Sequence, residues 1–248
     1  SISNMLKNAL DMPAASLREF FRIWDLLENK KSLGLDELGH AFNTWNINEL
    51  VRDALLSRFH TISSSRLFSF KHPNEKGFEF EELIKTKKKG AGMIINMGKS
   101  SPVVRRMIVE LIMNKLIDLL EKSLIPPIFI FAEEAHLYIR DTYWEDLITR
   151  MRHFGIYTTF ITNQPDALND TIYRQVDNIF LFNFTNDADL EKISKVSLLD
   201  SSTIKSLVKT LSNRSCLSIG KVVSNLPMVV KVDPVNMVTL GETKKFFK

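Results

Sequence analysis

A chain of 248 residues, 44% apolar and 25% charged, has material for one large domain or a domain with an appendage, and its apolar runs are too short to cross a bilayer. The first residues lack the basic, apolar, small-residue order of a secretory signal, so the cytoplasm is the expected location. A net charge of +4 suits a polyanionic partner without requiring one, and a single cysteine, Cys216, excludes an internal disulfide or a cysteine metal cluster.

From Asn4 to Ile62 apolar residues recur at helical spacing, as in Leu17, Phe20, Phe21, Trp24 and Leu27, with Pro13, Gly34 and Gly39 as punctuation. A helical subdomain over residues 1–65 follows. After "TISSSRLFSF" short β-like runs alternate with helices. The pattern predicts a strand over Gly92–Met97, a helix over Pro102–Leu120, the strand "PIFIFA", a helix over Tyr143–His153, and strands in "YTTFIT" and "NIFLFNF". Strands this apolar have no wet face. They predict an α/β domain over residues 66–236, with a mainly parallel sheet flanked by helices. The runs "RSCLSIG" and "PMVVKV" are too close together for a crossover helix, which predicts an antiparallel edge near the C-terminus. Cys216 falls in the first of these and is expected in the core. Residues 237–248 form a tail with two phenylalanines among lysines, free either to dock on a neighbouring subunit or to fray. The run "KTKKKG", Lys85 to Gly90, is either a contact to a DNA backbone or a solvated turn.

Chemistry concentrates where "IFIFA" ends in Glu133 and Glu134. In a parallel α/β sheet the ligand site lies beyond the carboxyl ends of the strands. Two adjacent carboxylates repel and call for a cation; Mg²⁺, held by Glu133 and by phosphate oxygens, meets that need. Glu134 is then free to orient or deprotonate an attacking water. This is the Walker B arrangement, and its bland alternative is a pair of acids capping the next helix. The following strand ends "FITNQP", which places Thr162, Asn163 and Gln164 at the same sheet edge, where they could bond a γ-phosphate or the lytic water. Arg150 and Arg152 in "TRMRHFG" suit a phosphate clamp offered to a neighbouring subunit, or simply a helix C-terminus that favours cations. The histidines show no metal spacing, and His136 is expected to orient the acidic loop.

A P-loop requires G-x-x-x-x-G-K-[ST] after a strand, because its backbone amides wrap the phosphates. "GAGMIINMGKSS" fails this test. Met93 stands where the first glycine should be, and the intervening residues are apolar and strand-like. The tripeptide Gly98–Ser100 is better read as a turn, with Ser101 capping a helix whose first residue is Pro102.

The order "EEAH", "RMRHFG", "TNQP", "VDNIFLFNFTNDADLEKI" and "SCLSIGKVVSNLPMVVKVDP" resembles the C-terminal half of HerA-type ATPases, hexameric RecA-like DNA translocases of the HerA/FtsK group. The resemblance runs from Leu67 to Pro234. It implies a RecA-like fold, ATP and Mg²⁺ as cofactors, double-stranded DNA as partner, a homohexamer, and a nuclease partner of the NurA type. It assigns Mg²⁺ to Glu133, the catalytic base to Glu134 and a trans-acting finger to Arg152. Two departures stand out: Met151 and His153 replace the glycine and lysine around that arginine, and the sensor glutamine falls on Asn163, with Gln164 next to it. Related conjugation and secretion ATPases share the strand order, whereas a helicase with two RecA domains does not fit in this length. Two functions from different classes stay open. One is the C-terminal portion of an ATP-driven DNA translocase acting in DNA-end processing, transfer or defence; the other is a non-catalytic ATPase-like module that oligomerises or binds DNA.

Overall fold

The computed structural model describes residues 2–68, 92–139, 148, 150–195, 200–234 and 236. The lysine run at 85–90 and the tail at 237–248 lie outside the described residues, as does most of the helix expected over Tyr143–His153. Contacts divide the chain into two compact units, Ser1–Thr162 and Asn163–Lys248.

In the first unit, helical turns over Ile2–Asn4 and Met5–Ala9 lead into α1 (Ala14–Asn29), α2 (Leu35–Thr44) and α3 (Glu49–Ser65). The apolar stripe read from the sequence is what these helices bury. Phe20, Ile23 and Leu27 of α1 meet Leu38 and Phe42 of α2 and Leu55 of α3 in one core. Asn48 begins α3 by accepting a hydrogen bond from the Leu50 amide, which satisfies one orphan donor of the first turn. The long helix α4 (Pro102–Glu121) contributes Met107 to the same core. Its start is as expected: Ser101 Oγ accepts from the Val104 amide and Pro102 occupies the first turn.

The segment Gly92–Met97 differs from expectation. It has no regular structure, and Ile94 is 95% exposed. A strand exists only as part of a ladder, and among the described residues no strand pairs with this one.

The unit closes with β1 (Ile128–Ala132) and β2 (Ile156–Phe160), paired in parallel from Ile128 opposite Ile156 to Ala132 opposite Phe160. Gly155 makes the turn into β2 with φ +79°, a conformation that disfavours a side chain. Alternation along the strands puts Ile156 and Ala132 on the covered face and the Phe129, Phe131 and Tyr157 rings on the other. That second face is bare: Phe129 is 76% and Phe131 71% exposed, and Phe129 stacks on Tyr157 with ring centroids 5.3 Å apart.

The second unit holds α5 (Asp170–Gln175), β3 (Asn178–Phe182), α6 (Asp187–Ser194), α7 (Ser201–Thr210), β4 (Ser215–Gly220) and β5 (Met228–Lys231). Here β4 pairs antiparallel with β5, as expected, and also with β3. The antiparallel part therefore takes in three strands, while β1–β2 forms the parallel part. Leu181, Leu217 and Ile219 pack under Leu190, Ile193, Ile204 and Val208 of α6 and α7. Cys216 is buried and unpaired, as expected. The opposite face of this sheet leaves Phe180, Phe182 and Met228 about half exposed. Among the described residues no helix is long and apolar enough to cross a membrane.

Candidate active site at the carboxyl end of β1

The chain leaves β1 at Ala132, and the ladder runs one step further, with the Ile161 amide donating to the Ala132 carbonyl at 2.9 Å. Glu133 and Glu134 then form a turn before the helical turn Ala135–Leu137. Glu134 carries φ 51° and ψ 44°, in the left-handed region that costs a residue with a Cβ about 1–2 kcal/mol. Strain of this kind survives where neighbours over-determine it; seven other described non-glycine residues share the left-handed region, so it does not by itself mark a site.

The neighbours are identifiable. The Ala135 amide donates to the Ile161 carbonyl at 3.0 Å, which locks the turn onto the end of β2. The Tyr138 hydroxyl donates to the Glu133 carbonyl at 2.7 Å. Burial, reinforced by the two glutamates, pushes the Tyr138 phenol up to about 12, so it stays a donor throughout the neutral range. His136 is buried with Nδ1 3.0 Å from Thr162 Oγ1 and 3.5 Å from Glu134 Oε2. The imidazole thus stands between the second acid and the last residue after β2. Both glutamates are themselves exposed, which leaves their carboxylates open to a ligand.

The structure therefore brings Glu134 and Thr162 to one buried imidazole, His136, with Glu133 next to Glu134 in the chain. Sequence reasoning missed Tyr138, although an aromatic hydroxyl four residues beyond paired acids, in a turn, was its available signal.

Arg150 and Arg152 are placed elsewhere. They precede Gly155 and β2, at the end of that strand opposite Thr162, so about 16 Å of strand separates them from the acids' end. The Arg150 guanidinium lies over the Phe154 ring, 5.8 Å from its centroid. Asn163 and Gln164 belong to the second unit, where they line a polar cleft.

The donor set fits Mg²⁺ in part. Adjacent exposed carboxylates are hard oxygen ligands, but among the described residues no group of three acids, histidines or cysteines could hold a metal unaided. A cation here would need phosphate or water oxygens to complete its shell. Nor do the residues at Gly98–Ser101 make a phosphate cradle: Gly98 donates its amide to Asn96 Oδ1, and the Ser100 amide goes to the Met97 carbonyl.

No family model matches the chain. Over 114 residues it is 30% identical to the DNA double-strand break repair helicase HerA of Saccharolobus solfataricus, a stretch covering 43% of this chain and 23% of that protein. The chain thus spans less than a quarter of the curated relative it matches. Among solved structures, VirB4 of Thermoanaerobacter pseudethanolicus superposes with a TM-score of 0.61 at 13% identity, covering 95% of this chain and 68% of that one. The genome packaging NTPase B204 of Sulfolobus turreted icosahedral virus 2, in complex with ATP-gammaS, aligns at a TM-score of 0.41 and 23% identity, over 48% of this chain and 60% of that one. Fold and sequence together place the resemblance with ATPases of the HerA/FtsK type, and the fold is the RecA-like α/β arrangement.

Proposed function

We propose that this chain is the C-terminal portion of a HerA-like, ATP-driven translocase of double-stranded DNA. The observation that carries the reading is the acidic pair leaving β1 on a strained turn, braced against the end of β2 through His136 and Thr162.

Glu133 is proposed to hold Mg²⁺ together with phosphate oxygens, and the cation's contribution when bound is to neutralise charge on the phosphates. Glu134, exposed and adjacent, accepts the proton of the attacking water on a carboxylate oxygen. His136 fixes the direction of that carboxylate. Thr162 is the cofactor-facing hydroxyl of the same edge, and Asn163 and Gln164 are the sensor amides in this reading. The placement of Arg150 and Arg152 at the far end of β2 supports an action on a neighbouring subunit's nucleotide, and hence an oligomer, for which we propose a hexamer. Its setting is cytoplasmic DNA-end processing, with a nuclease of the NurA type as partner. The domain limits proposed are 1–65, 66–236 and 237–248.

The test is DNA-stimulated ATP hydrolysis and duplex translocation by the intact ATPase that contains this chain. Hydrolysis with no response to DNA would remove the translocase assignment. A second reading, a non-catalytic ATPase-like module, is favoured by one observation: no phosphate cradle is formed at Gly98–Ser101. A related conjugation or secretion ATPase would hydrolyse ATP without processing DNA ends.

A further inference from the structure

Two peptide planes carry the acidic turn, and they are held differently. The plane between Glu134 and Ala135 is fixed from both sides: its amide donates to the Ile161 carbonyl at 3.0 Å, and its carbonyl accepts from the Leu137 amide at 2.9 Å. The plane between Glu133 and Glu134 has a different anchor. The Tyr138 hydroxyl donates to the Glu133 carbonyl at 2.7 Å, and among the described residues no other donor reaches that oxygen.

A trans peptide points its C=O and its N–H in opposite directions. With the Glu133 carbonyl turned to Tyr138, the Glu134 amide is turned the other way, and among the described residues it donates to no acceptor. Both flanking side chains are exposed, so this donor is left for solvent or a ligand at the carboxyl end of β1.

Backbone energy opposes the arrangement. Reversing the plane carries φ of Glu134 from positive to negative, which is the cheaper side for a residue with a Cβ. Left-handed residues are routine after helices, where Asp11, Lys31, Arg66 and Ser123 stand, and in turns such as those of Arg214, Ser224 and Asn225 beside β4. Glu134 instead opens a helical turn at φ 51°, a place where the backbone is ordinarily extended. A tertiary contact has to hold it there.

Tyr138 suits that task. It is 8% exposed, and burial together with the two glutamates pushes its phenol up to about 12, so the donated proton is kept throughout the neutral range. With the plane reversed, a carbonyl oxygen would stand beside two carboxylates and repel phosphate oxygens. A backbone N–H in the same place receives them.

We propose that Tyr138 is a positioning residue of this site: its hydroxyl fixes the polarity of the Glu133–Glu134 peptide, which presents the Glu134 amide as a donor to an oxygen of the transferred phosphoryl group. The identity of that ligand rests on the nucleotide reading above; the hold of Tyr138 on the peptide does not.

The experiment compares Tyr138→Phe, which removes the hydroxyl and keeps the ring, with Tyr138→Leu, which removes both. Each is shown to be folded by circular dichroism. In the intact ATPase that contains this chain, Tyr138→Phe should lower kcat about tenfold and leave KM for ATP close to wild type, because the bond it orients strengthens in the transition state. A crystal structure of the Tyr138→Phe chain should show the plane reversed, with φ of Glu134 negative. Wild-type kcat and a positive φ in Tyr138→Phe overturn the inference, as does a loss confined to Tyr138→Leu, which would make the ring a space filler. A loss of kcat with φ still positive also overturns it, and so does a reversed plane with kcat intact in an enzyme that Glu134→Gln inactivates. The two readings fail separately. If Glu134→Gln keeps full turnover while Tyr138→Phe reverses the plane and lowers kcat, the catalytic role of Glu134 falls and the role of Tyr138 stands. If Glu134→Gln is inactive and Tyr138→Phe matches wild type in both readouts, the reverse holds.

Discussion

His136 Nδ1 lies 3.0 Å from Thr162 Oγ1, and this contact ties the acidic turn after β1 to the end of β2. The same nitrogen is 3.5 Å from Glu134 Oε2, which puts the proposed base beside this buried ring. His136→Ala and Thr162→Val should each lower turnover of the intact ATPase about tenfold with nucleotide affinity kept. Because both act through one contact, the double variant should cost little more than either single one. Fully additive losses would separate the two residues.

Glu134 is the group those residues serve. Glu134→Gln should cut turnover by about 10²-fold or more, as the loss of a general base does, with nucleotide still bound. The glutamine keeps the size of the side chain, so the left-handed turn at φ 51° should persist. Turnover that survives the change takes Glu134 out of the mechanism.

Arg152 sits before β2 while the acids follow β1, at opposite ends of the parallel pair. An arginine that acts across a subunit boundary is complemented by mixing. Arg152→Ala and Glu134→Gln subunits, each inactive alone, should regain partial hydrolysis in mixed oligomers. Mixed oligomers with no recovery at any ratio would confine Arg152 to its own subunit or to its turn.

Stability has a titrating component outside the site. Glu110 of α4 is 5% exposed; burial raises its carboxyl from 4.5 to about 7, against the opposing hydrogen bonds of Asn8 and Asn114. Asn114 also accepts from Asn4 at 2.8 Å, so the group lies where α4 meets the first helical turns. The folded state holds this proton more tightly than the unfolded state. Its stability contribution is therefore complete below 4.5 and is lost as pH rises to about 7. The loss amounts to about 3 kcal/mol. Glu110→Gln should unfold at a higher denaturant midpoint than wild type at pH 8 and close to it at pH 4.5. An equal offset at both values would show that the carboxyl does not titrate in this window.

The sequence made some of this legible and hid the rest for physical reasons. Helix starts were readable because capping is local: Ser101 and Pro102 announce α4 by chemistry within one turn. The β1–β2 pair and the address of Glu133 and Glu134 followed from strand apolarity and the rule for strand ends. Gly92–Met97 shows the limit of that reasoning, since its composition suits a strand but a strand needs a partner. The pairing of β3 with β4 was equally invisible, because a long connection through α6 and α7 carries no mark of which edge it returns to. His136 was expected beside the acidic loop, whereas the contact of Tyr138 depends on a left-handed turn that "EEAH" does not advertise. Asn183 falls at the end of the run "NIFLFNF" read as a strand, and its bonds to the Lys209 and Leu211 carbonyls are a property of tertiary structure alone.

The last prediction concerns the bare faces. Among the described residues β1 pairs only with β2, and Phe129 and Phe131 point outward at 76% and 71% exposure. A parallel pair this apolar is ordinarily covered on both faces. Strand groups left unpaired in an interior cost about 1–3 kcal/mol each, so a further strand beside this pair is expected in the intact protein. The expectation is that a P-loop-bearing segment completes the sheet and that this chain by itself does not hydrolyse ATP with Mg²⁺. Supplied with that segment, the chain should gain hydrolysis, and Phe129→Ser with Phe131→Ser should prevent the gain. The competing outcome is specific. Tight Mg²⁺-dependent ATP binding to the chain alone, abolished by Lys99→Ala, would make the turn at Gly98–Ser100 a working phosphate site and would remove the need for a completing segment.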